Sequence, residues 1–571
     1  MTRRWYDVAM INRRLALMLL FAAFALPYFV NLGATSIIDA NEAFYTETPR
    51  EMIEAGDYVN PTFNYEPRLN KPPLSYWAVA GSYRLFGVSL TAARLPVVLG
   101  AMAMLATVFV LGRLAGSTGA GLLAALTLAA APRFLLFSRR IIIDIYTAMF
   151  LGLTLLFFIL AETQPQRRRR WLLAMYVATG LGVLTKGPIA IVLPALVFLV
   201  YLVASRRFQT ITRLMLPTGV VVVSAIVVPY YALLYAQHGW DAISTFLMRE
   251  NLARYAEGVG SPDRGRYFYL LVLFGDLYFP WSLLLPAGFA MVPWRRLWRA
   301  GSRLQDAQGV DMPVSQEAVR LLLGLWIVVI VAFFSFSKAQ QDLYILPSII
   351  AAAPLVGCLL DGLIRHRLSP RLNGVTTWSV VLVAIVLLAL GVALVVLAGG
   401  DRIQLAGATA TGIALCAGAL VALVALARGS AEMACGAIGA AVVVGQWVLV
   451  LWALPDFERY KPVPHLARVI QTVAAPGARV GTYLVATPSL TFYLRHHVDQ
   501  MFDVSAISAF FKEPSAAYCV MRQSDYEPIK ALIGVPTSVI AVSPYVDAQL
   551  RDVLDRKPLP NLVVVTSRGG Q

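Results

Sequence analysis

A chain of 571 residues that is 58% hydrophobic and only 14% charged, with a mean hydropathy of +0.68, is too apolar for an ordinary soluble enzyme. Its formal charge of +16 would point to nucleic acid in a soluble protein, but the arginines fall in short gaps between apolar runs, which excludes that partner. Three of the four cysteines (Cys358, Cys416, Cys435) lie in or beside apolar runs and the five histidines lack metal-ligand spacing, so neither a disulfide framework nor a zinc motif follows.

In chain order, the first apolar stretch, Leu15 to Gly33, stands behind Arg3, Arg4, Arg13 and Arg14. Cleavable signal peptides share a basic start and an apolar centre, but the length here, with Pro27, Tyr28 and Phe29 near the end, predicts an uncleaved anchor. Runs long enough to cross about 30 Å of hydrocarbon then recur near 92–113, 116–132, 141–161, 171–185, 188–204, 214–236, 267–293, 318–336, 343–363, 375–398, 403–427 and 431–454. With the anchor at 15–34, the expected fold is a polytopic all-α membrane protein of about thirteen transmembrane helices. An inside N-terminus places Arg167 to Arg170, the Arg206/Arg207/Arg213 group, Arg295/Arg296/Arg299/Arg303 and Arg365/Arg367/Arg371 in the cytoplasm, and the last segment outside.

Three external segments result: 35–91, 237–266 and the tail from Pro455. In the first, "EAFYTETPREMIEAG" sets Phe44, Met52 and Ile53 at helical spacing against Glu47 and Glu51, and "PPLSYWAVAGSYRLFG" opens with prolines suited to a helix start. Two short helices on the membrane surface are predicted, with Glu47 and Glu51 read as a solvated acidic face. The tail alternates "ARVGTYLVA", "AAYCVM" and "TSVIAVS" with segments such as "SDYEPIKALI". That pattern predicts a small α/β domain over 455–571 behind a transmembrane part over 1–454.

Arg68, Lys71, Arg139, Arg140, Lys186, Arg249, Arg254, Arg264, Arg266 and Lys338 fall at outer span ends, where the charge rule does not put cations. Snorkelling to headgroups explains any one of them; as a set, with lysines fixed beside prolines and polar turns, they suit an anionic lipid headgroup, most naturally a phosphate. Asp39, Glu42, Glu47 and Glu51 crowd the first external segment, and Asp144 sits at the start of a span, where an ionisable group is costly. Carboxylates opposite cations at one membrane face are what group transfer from a lipid phosphate requires: an acid to orient or deprotonate the acceptor, cations to stabilise the departing phosphate.

The segments "EAFYTETPREMIEAGDYVNP", "NKPPLSYW", "IIIDIYTAMF", "TKGPIAIVLP", "RENLARYAEG" and "FFSFSKAQQDLYILP" follow in order the landmarks of the GT-C superfamily of membrane glycosyltransferases. Over roughly residues 15–363 the sequence resembles the lipid A aminoarabinose transferases and the bacterial protein O-mannosyltransferase-like enzymes. The resemblance implies a multi-pass protein of a bacterial inner membrane with a periplasmic active site. It also implies a sugar donor on polyprenyl monophosphate such as undecaprenyl phosphate, and an inverting transfer without a nucleotide sugar. Carried over by position, it implies catalytic roles for Glu42 and Asp144, to which Asp39 is added as a local candidate, and donor-phosphate binding by Lys71, Lys186, Arg254 and Lys338. Asn41, Tyr45, Asn70 and Tyr344 become substrate contacts.

Two positions depart from the family pattern, because Asn41 and Asn70 stand where it usually has acids. An amide still forms hydrogen bonds but supplies neither a base nor negative charge to a metal site; the sequence assigns no certain cofactor, and a divalent metal is left open without support in it. Asp39 is the nearest substitute carboxylate. A phosphate acceptor, as in lipid A, is already ionised and needs no strong base; a hydroxyl acceptor on a glycan or protein needs one. The partners expected are a lipid-linked sugar and a membrane lipid, glycan or protein acceptor, with no nucleic acid, and the chain is expected to be a monomer. A transporter or flippase for lipid-linked sugar, and a non-catalytic binder of it, are the alternatives; the amides favour the second, and ionisable residues gathered at one face disfavour the first.

Overall fold

The computed structural model describes residues 19–20, 22–38, 40–258, 264–297, 315–398, 406–475, 477–513, 515–544 and 560–567. The chain forms two compact units. One comprises Met1–Val30, Leu69–Ala78 and Arg94–Leu451, the other Asn31–Arg68, Val79–Ala93 and Trp452–Gln571.

The first unit is helical because a chain in hydrocarbon must satisfy its backbone polar groups within each segment. Eight helices among the described residues are long and apolar enough to cross a membrane, or up to ten if each of two bent pairs is one span. The numbered helices are α1 (Leu90–Ala115), α2 (Ile143–Thr163), α3 (Arg168–Lys186), α4 (Ile189–Ala204), α5 (Leu216–Ser244), α6 (Gln316–Ser335), α7 (Ile349–Ile364), α8 (Pro370–Ala398), α9 (Ala408–Ala427) and α10 (Ala431–Val448).

The expected thirteen spans exceed this count for identifiable reasons. The run at 116–132 becomes Thr118–Ala129 and Pro132–Ser138, bent by 69°, and that at 267–293 becomes Phe268–Leu277 and Trp281–Ala290, bent by 114°. Both breaks fall at or just before a proline, Pro132 or Pro280, which can neither donate to the ladder nor tolerate a helical residue before it. Helix α4 has only 16 residues, α3 opens with three arginines, and part of the 15–34 run lies outside the described residues.

Charges in this unit are paired where helices end. Glu162 accepts from Arg168 at 3.2 Å and Arg207 at 3.3 Å, and Asp361 accepts from Arg365 at 2.7 Å and Ser117 at 2.8 Å.

In the second unit, helices form over Ala40–Ala55 and Leu74–Phe86, as predicted, although residues 74–78 of the latter belong to the first unit. The solvated acidic face does not form: Glu47 and Glu51 are 0% and 2% exposed. Arg50, one turn from Glu47, donates to it twice at 2.6 and 2.8 Å, so the pair is buried as a fork. The Glu51 carboxylate accepts from the Thr62 hydroxyl at 2.6 Å and the Tyr65 N–H at 3.1 Å, while burial pushes its pKa above the usual carboxylate range. Those donors belong to the hairpin of β1 (Thr62–Phe63) and β2 (Glu66–Pro67), whose two turn residues, Asn64 and Tyr65, have φ of 58° and 62°, as a two-residue turn requires. Arg68 lies over the Phe44 ring at 3.6 Å, a cation–π contact.

The tail forms a five-stranded sheet in the order β4-β3-β5-β7-β6. Its strands are β3 (Arg479–Tyr483), β4 (Asp499–Met501), β5 (Ala517–Arg522), β6 (Ser538–Pro544) and β7 (Asn561–Thr566). β3 pairs in parallel with β4 and β5, and β7 pairs antiparallel to β5 and β6. β5 and β7 are near-continuous buried runs because helices cover both faces. Leu466 and Ile470 of the Pro462–Val473 helix pack on one face against Val480, Val520 and Val564, and Ile507 and Phe510 of the Val504–Lys512 helix pack on the other against Cys519 and Val563. The α/β character of the tail therefore agrees with its sequence pattern.

Asn64 fastens the hairpin to this sheet domain: its Nδ2 donates to the Val498 carbonyl at 2.9 Å and its Oδ1 accepts from the Val498 N–H at 2.8 Å. Asn64→Ala strands both buried Val498 groups and is expected to cost about 2–4 kcal/mol. The unfolding midpoint of the purified chain in detergent measures it, and a midpoint equal to wild type refutes the role.

Candidate active site

The site begins with a helical hairpin. α2 runs in one direction, a short turn over Pro165–Arg167 reverses the chain, and α3 returns, so the start of α2 lies beside the end of α3. Asp144 occupies the first turn of α2 and Lys186 is the last residue of α3, each at the helix end whose dipole favours its charge. The Lys186 ammonium donates to Asp144 Oδ1, and it also lies 4.8 Å from the centroid of the Tyr344 ring.

Gly187 then ends α3 with φ 93° and ψ −154°, a conformation essentially closed to residues with a Cβ. A Cβ there would stand 2.7 Å from Phe246 Cζ. Phe246 belongs to a π-helical stretch, Thr245–Ala253, that continues α5, and its carbonyl also accepts from the Asn251 side-chain Nδ2 at 2.7 Å. The stretch carries Glu250, and Arg254 follows one turn later. Lys71 comes from the segment before the Leu74–Phe86 helix, where Pro72 and Pro73 leave no N–H to donate. Glu250 Oε2 accepts from Lys71 at 3.1 Å and from Arg254 at 3.3 Å, and so bridges the two cations.

These side chains head a cavity of about 330 Å³ lined by Lys71, Asp144, Lys186, Glu250, Arg254 and Tyr344. Its walls are apolar, with Leu151, Val192, Leu193, Leu252 and Phe333 among them. Burial pulls the Lys71 pKa below the ordinary lysine range; Glu250 opposes that shift, while Arg254 and Lys186 add to it, which shows how closely the three cations share one space. A cationic head on an apolar cavity fits an amphiphile with an anionic group and a long hydrocarbon tail.

The expected site residues separate into groups. Lys71, Asp144, Lys186, Arg254 and Tyr344, drawn from distant parts of the chain, line the one cavity. Lys338, expected to join the two other lysines, is exposed and does not line the cavity; its neighbours Ser337 and Ala339 do, and its N–H donates to the Tyr255 carbonyl at 3.0 Å. Asn70 precedes Lys71 but is not a lining residue, and its buried Oδ1 has no hydrogen-bond partner among the described residues. Asn41, Glu42 and Tyr45 belong to the second unit. Asn41 is exposed, Tyr45 is buried, and Glu42 is fully buried, its Oε2 accepting from the Ile38 N–H at 3.0 Å in the manner of a helix cap. Asp39 lies outside the described residues.

Glu250 is the residue that sequence reasoning missed. Its signal was the Glu250–Arg254 spacing, which on a helix pairs acid with base, but nothing local pointed to Lys71. Among the described residues no group of three His, Cys, Asp or Glu side chains is placed to hold a metal ion.

Comparison with known proteins is consistent with this geometry. The family model described as dolichyl-phosphate-mannose-protein mannosyltransferase matches residues 70–232. The undecaprenyl phosphate-alpha-4-amino-4-deoxy-L-arabinose arabinosyl transferase of Pseudomonas paraeruginosa (strain DSM 24068 / PA7) is 31% identical over 385 residues, 66% of this chain and 66% of that protein. Its counterpart 1 in Pseudomonas fluorescens (strain Pf0-1) is 27% identical over 384 residues, 65% of this chain and 62% of that protein. These matches therefore span slightly under two thirds of the relatives' length. The crystal structure of ArnT from Cupriavidus metallidurans bound to undecaprenyl phosphate superposes with a TM-score of 0.77 at 24% identity, covering 97% of this chain and 99% of that one. Its apo form gives 0.76 at 23% identity, covering 98% and 100%. At that identity the likeness establishes the fold.

The glycine between the two helices of the site is open to a direct test. Gly187→Ala combines backbone strain of about 1–3 kcal/mol with a collision against Phe246, and is expected to lower the thermal midpoint clearly. Gly56→Ala is the control, since its φ of 68° is also positive but a Cβ there meets nothing within 4 Å, and it is expected to cost only about 1 kcal/mol. Equal losses for the two would mean that Phe246 does not press on Gly187.

Proposed function

We propose that the chain is a GT-C-type membrane glycosyltransferase related to the aminoarabinose and O-mannosyl transferases, and that it moves a sugar, with inversion, from a polyprenyl-monophosphate donor to an extracytoplasmic acceptor. The observation that carries this reading is the convergence of Lys71, Lys186 and Arg254 on the polar end of one apolar cavity. A polyprenyl tail fits the apolar walls, and its phosphate fits the three cations.

In the transfer, an acceptor oxygen attacks the sugar's anomeric carbon as the bond from that carbon to the phosphate oxygen breaks. The electron pair leaves with the phosphate, and Lys71, Lys186 and Arg254 stabilise the charge that develops there. Tyr344 and the Asp144 carboxylate hold Lys186 in position. A phosphate acceptor brings no proton to remove; for a hydroxyl acceptor the proton goes to a carboxylate, and Asp144 is the expected catalytic carboxylate that lines the cavity.

The membrane part, residues 1–454, is proposed to have thirteen spans: the eight helices and two bent pairs, the short α4, the arginine-headed α3, and the anchor at 15–34. The odd count, with Arg167 to Arg170 inside, puts residues 35–91 and 455–571 in the periplasm of a bacterial inner membrane, with the active site on that face. Single cysteines at Gln166 and Gln500 are expected to label from the cytoplasm and the periplasm respectively; labelling of both from the same side removes the thirteen-span order.

Mass spectrometry of lipids and glycans from cells with and without the gene tests the activity and reveals the acceptor. In the same assay Lys71→Met and Arg254→Met are expected to reduce transfer by about a hundredfold or more with the fold retained, each removing one charge-assisted contact to phosphate. Unaltered product in the absence of the gene, or full activity of both variants, overturns the proposal.

A further inference from the structure

The charges around the cavity do not cancel. Lys71, Lys186 and Arg254 contribute three positive charges and Asp144 and Glu250 two negative ones, so the head of the cavity carries one net positive charge. The two carboxylates are used differently. Asp144 is committed to Lys186, whereas Glu250, with its side chain 23% exposed, spans Lys71 and Arg254 much as one oxygen of a bound phosphate would.

The lipid's own charge changes during transfer. A sugar-linked polyprenyl phosphate is a phosphodiester with a single negative charge. When its bond to the sugar breaks and the pair stays on phosphorus-bound oxygen, the spent lipid is a phosphomonoester with a second ionisation near a pKa of about 6, so it is mostly doubly charged at neutral pH. Without Glu250 the site would carry two net positive charges, would hold that product more tightly and would release it slowly.

We propose that Glu250 sets the charge selectivity of this site: its carboxylate leaves one net positive charge to match the singly charged donor and repels the second charge of the spent lipid, which promotes its release. The inference rests on the polyprenyl-phosphate reading above and assigns Glu250 a specificity-determining role within it. Asp144 does not serve this purpose, since its charge is consumed by Lys186.

Equilibrium binding to the purified full chain tests this, with undecaprenyl phosphate as the monoester probe and its methyl ester as a sugar-free diester probe. At about pH 7.5 the wild type is expected to prefer the methyl ester, and at about pH 5.5, below the second phosphate pKa of about 6, the preference is expected to shrink. At about pH 7.5, Glu250→Gln is expected to bind undecaprenyl phosphate about tenfold more tightly and the methyl ester no more than about threefold more tightly. Glu250→Asp, which keeps the charge, is expected to retain the wild-type ratio. Equal gains for both probes, no gain, or a loss for both overturns the inference, the last showing that Glu250 merely positions Lys71 and Arg254. If Glu250→Gln does not fold, the wild-type preference and its pH dependence decide alone. A wild type that binds both lipids without preference defeats the inference and leaves the functional reading standing, whereas a wild type that binds neither defeats both.

Discussion

A charge beside an apolar cavity is stable only when an opposite charge or a ligand answers it. Three cations line the cavity, and each is answered by a carboxylate that the surrounding helices bring to it. Asp144 answers Lys186 because the α2–α3 hairpin brings the positive end of one helix dipole to the negative end of the other. Glu250 answers Lys71 and Arg254 because a π-helical stretch turns it toward both. Each carboxylate thus neutralises cations that line the cavity, and one positive charge is left over.

The apolar walls and the cationic head divide the work of recognition. Under the proposed function, hydrocarbon burial in a preformed cavity is non-directional and supplies affinity, whereas the cations fix where the phosphate would lie. The proposed transfer depends on charge placed before the reaction starts, because a departing phosphate gains charge and nearby cations gain more from the late state than from the early one. Gly187 matters here for a steric reason: it lets the end of α3 and the Phe246 turn approach closely enough for Lys186 and Glu250 to line the same space.

The second unit obeys the same rule with different groups. Glu47 is buried because Arg50 neutralises it within one helix turn, and Glu51 is buried because hairpin donors satisfy one of its oxygens. Asn64 carries the pattern further by completing the hydrogen bonds of Val498 across more than four hundred residues of sequence. Polar residues in this unit therefore specify which segments associate, while Val480, Val520 and Val564 and their neighbours supply the sheet core.

The sequence by itself determined the class of structure, because the relevant signals are local. Length of apolar run, arginines at run ends and alternation in the tail report directly on helices in lipid and strands in a covered sheet, and the ordered motifs brought Lys71, Asp144, Lys186, Arg254 and Tyr344 into view as a set. Tertiary structure decided the rest. Only the fold could pair Glu250 with Lys71, 179 residues away, or place the Lys338 side chain off the cavity that its neighbours line. The bends before Pro132 and at Pro280 divide runs that composition reads as continuous, and Glu47 and Glu51 are buried although their charge alone reads as exposed. The physical reason is common to all of these: periodicity and hydropathy record what one segment prefers, whereas the cost of a buried charge is fixed by its partner, and the partner lies on another segment.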